Sequence, residues 1–325
     1  MSDTLIRHLP DFKDSFEFFE LYDISQPSFT TYRKALKYFG QWLDERHLAG
    51  DLPLSPETIK DYLFDLVNQK LKPSTINQRR MAITWLHRMN GYTDETNPMY
   101  HPSLRRISKQ VRQVRASRDL SNKPEQKEPI RISDLKKLCR KCPTDTLHGL
   151  RNRALLLIGF ATGLRRSELV NLDVKDIKAI PNTHTAEVFI TKSKRDQLAK
   201  GQTVIIDAPG NRHCPVAAVN AWREAAQITT GKLFRRIRGK LAVQECAIQP
   251  DSAADIIKAY CKKAGLNPKL YSGHSLRRGV LISAIEKGCS LNDVKRHARH
   301  SQASTTEHYL GDAVSTRNVT KGLFK

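Results

Sequence analysis

The stretch RNRALLLIGFATGLRRSELVNL, Arg151 to Leu172, decides the fold. From Ala154 to Leu164 it is almost wholly apolar, so it reads as a helix buried in a core and not as a surface helix with one wet side. A Gly163-Leu164 turn ends that helix, and a second helix begins at Arg165. Glu168 lies three residues on and therefore on the same face as Arg165. An arginine held by a glutamate at a buried helix start is either structural support or a charge presented from a rigid turn, and the rest of the chain must say which.

Outward from this stretch, the chain after Ile130 is mainly helical. The exception is TAEVFITKSKRDQLAKGQTVIID, where Val188 and Ile190 alternate with polar neighbours and TVIID follows a polar turn, the pattern of a β-hairpin with a lysine-rich tip. The first third reads as short helices. SFTTYRKALKYFGQWLDERH places Tyr32, Leu36, Phe39 and Leu43 at helical spacing, and SPETIKDYLFDLV puts Ile59, Leu63 and Leu66 on one stripe behind a Ser-Pro start. A third helix, KPSTINQRRMAITWLHRMNG, has a Ser74 cap, a Gly91 stop, an apolar side (Ile76, Ile83) and a polar side of Asn77, Arg80, Thr84 and Arg88. That polar side suits a DNA groove or is simply a solvated face. The basic stretch HPSLRRISKQV then leads into residues 119–129, a polar, proline-containing interval without periodicity that reads as a linker. The expected fold is mainly α in two domains: a helical domain over 1–118, the linker 119–129, and over 130–325 a mixed, mostly helical domain with a small antiparallel β-sheet.

Charge narrows the partners. With 55 Lys plus Arg against 33 Asp plus Glu, the net charge is +22 and the excess runs from Arg33 to Lys325. A surface so one-sided repels itself unless a polyanion is its partner, and nucleic acid is the leading candidate. No segment approaches the roughly 20 apolar residues of a membrane span. The start, MSDTLIRHLPDFKDSFEFF, lacks the basic-then-apolar order of a signal peptide, so a cytoplasmic location is expected. The six cysteines (Cys139, Cys142, Cys214, Cys246, Cys261, Cys289) offer one close pair without a second to complete a zinc set, and they read as reduced thiols. Neither a metal nor any other cofactor is expected.

Four local patterns follow one another along the second domain: Arg165 with Glu168; the hairpin lysines Lys192 and Lys194; SGHSLRRG, with His274 and Arg277 three apart; and HARHSQASTTEHYLGD, in which His300 precedes Tyr309 by nine residues (309 − 300 = 9). Each alone has an ordinary structural explanation. In this order they resemble the tyrosine recombinases, the phage integrase family, whose pattern runs Arg, a hairpin Lys, His-x-x-Arg, His or Trp, then Tyr nine residues later. The likeness covers nearly the whole chain, since the helical first third is similar to that family's SAM-like core-binding domain. SPETIKDYLFDL, STINQRRMAITWLHRMNG and SLRRISKQV have the cadence of its Cre-like members.

The resemblance implies a site-specific DNA recombinase that cuts and rejoins double-stranded DNA through a 3′-phosphotyrosyl intermediate. Charge building on the nonbridging phosphate oxygens requires planar, bidentate guanidiniums, a role that falls to Arg165 and Arg277 with Glu168 orienting one of them or its neighbours. His274 is then the base or positioning group, His300 a phosphate hydrogen-bond donor and Tyr309 the nucleophile. The hairpin lysine supplies a proton to the leaving 5′-oxygen. Alignment to Cre-like strands selects Lys194, whereas the local flavour of the wider family suits Lys192. A homotetramer on an inverted-repeat site, with the apolar face of AVSTRNVTKGLFK docked in a neighbouring subunit, completes the expectation. A type IB topoisomerase-like enzyme would share the chemistry without strand exchange, and a non-catalytic DNA-binding protein would share only the basic surfaces.

Overall fold

The computed structural model describes residues 4–10, 16–22, 24–118, 126–191 and 201–300. The chain divides into two compact units, Met1–Glu125 and Gln126–Lys325. Lys192, Lys194, Tyr309 and the C-terminal segment lie outside the described residues, as do 119–125 of the expected linker. Residues 126–129 are described and belong to the second unit.

The first unit is helical: α1 (Phe16–Leu21), α2 (Gln26–Asp44), α3 (Pro56–Asn68), α4 (Pro73–Met89), α5 (Pro102–Arg105) and α6 (Ile107–Ser117). α3 starts as expected, with Ser55 Oγ accepting from the Thr58 N–H at 3.0 Å and Pro56 at the first helical position, where no N–H is needed. The apolar stripes of α2 and α3 meet in a cluster of large rings. Phe39 stacks on Tyr62 with centroids 4.0 Å apart, and Trp42 meets Tyr62 edge-on at 5.3 Å. Their polar ends are satisfied at the edge of the cluster, Trp42 Nε1 donating to Asp65 Oδ2 at 2.7 Å and Arg79 donating to the Tyr62 hydroxyl at 3.0 Å.

Two expectations about α4 need correction. Its cap position is Lys72, with no side-chain cap bond, so Ser74 is inside the helix; Pro73 sets the start by its fixed φ. Thr84 does not lie on a wet face: it is buried, its hydroxyl donates to the Arg80 carbonyl at 3.0 Å, and its own carbonyl accepts from Asn97 Nδ2 at 3.1 Å. The reason is that α4 is covered on more than one side. Residues 82–87 are all buried, with Trp85 against Phe29 and Tyr32 and with the 97–100 turn on another flank. Gly91 does mark the stop, with φ of +87° just after Asn90.

A buried histidine gives this unit a pH-dependent stability. His87 Nδ1 donates to the Ile83 carbonyl at 2.8 Å while Nε2 accepts from the Leu54 N–H at 3.1 Å, an arrangement only the neutral ring can make. Burial, with a smaller contribution from His8, pulls its pKa below the usual histidine value. The unfolded chain therefore binds this proton first as the pH falls, so the contribution is whole above the unfolded pKa and is lost through the folded one. Below about pH 6.5 the unit should unfold at lower urea, a lost hydrogen bond alone costing roughly 0.5–1.5 kcal/mol. Urea titrations of wild type and His87→Gln at pH 7 and 5 check this, since the pH-dependent loss should shrink in the variant.

The second unit is built around α8 (Leu147–Thr162), preceded by α7 (Ile132–Arg140). α8 is buried nearly all round, as its sequence predicted, with Leu155, Leu156 and Ile158 at 0% exposure. Thr146 caps its start by accepting from the Gly149 N–H at 3.1 Å. α9 (Arg166–Asn171) leads to the antiparallel sheet β1 (Ile177–Ala179), β2 (Thr185–Ile190) and β3 (Gln202–Asp207), in the order β1-β2-β3, with Val188 opposite Val204 and Ile190 opposite Gln202. The expected hairpin is thus present, and β1 extends it. α10 (Pro215–Ala225) packs Trp222 against α8, its Nε1 donating to the Leu233 carbonyl at 2.9 Å. A second hairpin, β4 (Arg235–Arg238) with β5 (Ala242–Ala247), was not foreseen. α11 (Pro250–Lys263), α12 (Ser275–Glu286) and α13 (Leu291–Ala298) complete the unit.

α12 and α13 share a small apolar cluster of their own: Leu281, Ile282, Ile285, Val294 and Ala298. The end of the expected linker is strapped to the same region, with the Glu128 N–H on the Leu270 carbonyl at 2.7 Å and the Ile130 N–H on the Ser275 carbonyl at 2.9 Å. Only a glycine fits under that strap, because a Cβ on Gly279 would sit 1.9 Å from the Ile130 oxygen. All six cysteines are free thiols, and burial pushes those of Cys139 and Cys261 up to about 12, where they are unreactive. Among the described residues no helix is long and apolar enough to cross a membrane, and no group of His, Cys, Asp and Glu could hold a metal ion.

Candidate active site

The site is organised by the turn after α8. Gly163 adopts φ of +58° and ends the helix, which turns the chain so that Arg165 becomes the cap position of α9. Glu168 then reaches back, accepting from the Arg165 N–H at 2.9 Å through Oε2 and from Arg165 Nη1 at 2.6 Å through Oε1. The pair seen in the sequence is therefore real, and the Glu168 side chain is only 2% exposed. Burial works to raise the Glu168 pKa, but the Arg165 N–H, the nearby Arg299 charge and the Arg165 guanidinium outweigh it and hold the carboxyl below its usual range.

Arg277, three residues along from His274 on α12, is buried and fixed by backbone carbonyls. Its Nη1 donates to the Gly163 carbonyl at 2.6 Å and its Nη2 to the Ala298 carbonyl. One guanidinium thus ties the end of α8 to the end of α13, at the Gly163 turn that leads into Arg165. His274 lies near the same charges. Its side chain is exposed on one side, and the protein atoms crowding the rest of the ring, then the charges of Arg166, Arg277 and Arg165, lower its pKa below the usual histidine value, which favours the neutral ring. His300 is buried just beyond α13, its N–H on the Lys295 carbonyl at 3.1 Å. The structure therefore brings Arg165, Glu168, His274 and Arg277 together, with His300 joined to them through the α13 end.

The DNA-groove residues fare unevenly. Asn77 and Arg88 are exposed, and Asn77 accepts from Arg80 Nε at 3.2 Å. Arg88 is engaged by Asp94 at 2.9 Å and by the Tyr100 hydroxyl, and Thr84 is buried as described.

The sequence profile of the Phage integrase family matches residues 129–315, more than half of the chain. The chain belongs to the phage integrase family. Its members are the tyrosine recombinases, and this one is a site-specific DNA recombinase. A relative named integrase/recombinase xerD homolog, from Selenomonas ruminantium, is 33% identical over 84% of this chain and 77% of its own length. Tyrosine recombinase XerD from Rickettsia conorii is 24% identical over 93% of each chain. Among solved structures, the XerH site-specific recombinase bound to palindromic difH substrate, a post-cleavage complex, shares the fold with a TM-score of 0.68 at 19% identity, covering 93% of this chain and 80% of its own. The Tn1549 transposon integrase in complex with transposon right end DNA does so at a TM-score of 0.59 and 15% identity, covering 100% of both. The Cre-like cadence rests on the sequence stretches alone, since these relatives carry Xer and transposon-integrase names.

Two groups at this candidate site escaped the sequence reading. His297 donates through Nε2 to the Ala161 carbonyl at 2.9 Å, a second tie between α13 and α8. Arg299 donates through Nη2 to Glu168 Oε2 at 2.8 Å from 131 residues away in sequence. Both are basic residues in a chain full of them, and only their burial distinguishes them.

Proposed function

We propose that the chain cleaves duplex DNA with Tyr309 as nucleophile, in a tetramer assembled on an inverted-repeat site. The observation that carries the reading is the convergence of Arg165 and Arg277, each fixed by protein acceptors, around the Gly163 turn with a neutral His274 beside them. Such prealigned guanidiniums stabilise charge as it develops on the nonbridging oxygens, without reorganising during the reaction. The phenol oxygen of Tyr309 attacks phosphorus as His274 takes its proton. The bond from phosphorus to the 5′-oxygen breaks, and the 5′-oxygen takes a proton from Lys194 or Lys192. A 3′-phosphotyrosyl ester and a free 5′-hydroxyl result, and attack by another 5′-hydroxyl reverses the step to rejoin strands. His300 donates to the phosphate. Asn77, Arg80 and Arg88 contact the DNA from the first unit, with Thr84 supporting α4 from within. DNA as the partner accords with the +22 charge and with the DNA named in the solved neighbours.

The test starts from a random-sequence duplex pool carrying nicks, from which DNA linked covalently to the protein is recovered and sequenced. The expected outcome is a palindrome with arms of roughly 11–13 base pairs, about one helical turn per bound subunit. With that site in hand, deleting residues after Ala313 should spare binding and single-site cleavage but abolish exchange between two sites, because a head-to-tail ring needs the passed segment. A truncated protein that still recombines two sites removes the tail from assembly, and full-length protein that only relaxes supercoils points to the topoisomerase-like reading.

A further inference from the structure

Glu168 has two cationic partners. Its Oε1 accepts from Arg165 and its Oε2 from Arg299, at 2.6 and 2.8 Å, and the Glu168 and Arg299 side chains are 2% and 5% exposed. Charge decides what this means. A buried carboxylate paired with Arg165 alone would cancel that guanidinium's charge, and a neutral pair attracts an anionic phosphate weakly. With Arg299 included, the triad carries two positive charges and one negative, and a net charge of +1 remains.

Arg299 sits where an arginine is costly. At the C-cap of α13 its backbone is left-handed, φ 55° and ψ 45°, a conformation that glycine adopts without strain. Its Nε and Nη1 are buried with no hydrogen-bond partner among the described residues. A strained backbone and unsatisfied buried donors at one residue are features found where function holds them in place. Packing does not explain them, because a glycine would avoid both.

We propose that Arg299 is a positioning residue for strand cleavage, which shares the Glu168 carboxylate with Arg165 and so keeps the Arg165 guanidinium fixed and net cationic toward the scissile phosphate. The inference rests on the reading given under Proposed function. Its experiment compares Arg299→Gly, Arg299→Gln and Arg299→Lys in single-turnover cleavage of the captured site, with DNA affinity and thermal unfolding measured alongside. Glycine suits the left-handed backbone, so Arg299→Gly should unfold cooperatively and bind DNA within a few-fold of wild type. Its cleavage should nevertheless slow by about tenfold or more. Arg299→Gln keeps hydrogen-bonding capacity without charge and should be comparably slow, while Arg299→Lys restores the charge and should recover most of the rate. Cleavage by Arg299→Gly within twofold of wild type, or equal rates for Gln and Lys, overturns the inference. Wild-type protein that forms no Tyr309-linked DNA overturns the underlying reading and this inference with it, whereas wild type that forms it as fast as Arg299→Gly overturns only the inference.

Discussion

Tyr309→Phe should yield no covalent protein–DNA complex on a nicked substrate, while binding that substrate nearly as tightly as wild type. The substitution removes one hydroxyl and keeps the ring, so the +22 surface that neutralises phosphates is untouched. What disappears is the oxygen that would bond to phosphorus. No rate is left for the covalent step, because no other group inherits the bond, and the effect should exceed that of any other single change. Gel electrophoresis under denaturing conditions reads it directly, and peptide mapping of the wild-type adduct locates the link. A persistent adduct in the variant would move the assignment to another tyrosine. Tyr271 is a poor substitute in structural terms, since it is buried and its hydroxyl is pushed above its usual pKa by burial and by nearby acidic groups.

Arg165→Lys should cost about a hundredfold or more in single-turnover cleavage with little change in affinity. Arg165 gives Glu168 one of its guanidinium nitrogens and is 22% exposed, so the rest of its planar fork remains for a ligand. A lysine ammonium is a point charge and cannot hold the carboxylate and a phosphate in one plane. Removal of one donor of this kind from a developing oxyanion typically costs about 2.7–4 kcal/mol. A loss below about tenfold, roughly 1.4 kcal/mol, would make Arg165 a support for α9 and no more.

The parts of this molecule visible in its sequence are those whose signals are local. Leu36, Phe39 and Leu43 line up at helical spacing and all are buried, and the uninterrupted apolar run after Arg153 became the central helix. Arg165 and Glu168 announced their own contact because three residues on a helix is a spatial interval. Signals that depend on the surroundings were missed. β4 reads RRIR, and its sides are partly open to solvent, so charge hides its period. Thr84 looked polar, and a helix covered from several directions buried it. Arg299 met Glu168 through the tertiary fold, and nothing in ARHS marks a left-handed residue where glycine would be easier. The second guanidinium's anchors, Gly163 and Ala298, are backbone carbonyls, which no sequence pattern displays.

The small cluster shared by α12 and α13 sets how the site comes apart. Among the described residues the apolar packing of α13 is this small cluster, and its other holds are polar: Arg277 and His297 tie it to the end of α8, and the Ala298 carbonyl, Arg299 and His300 all stand at its end. Elements held by so little buried surface open locally at a fraction of the global unfolding free energy. When α13 lifts, Arg277 loses a carbonyl, Glu168 loses a cation and His300 leaves, all in one event. With these residues in the roles proposed above, the molecules ready to cut are those with α13 seated, and hydrogen exchange at the α13 amides should report that readiness before any DNA is added.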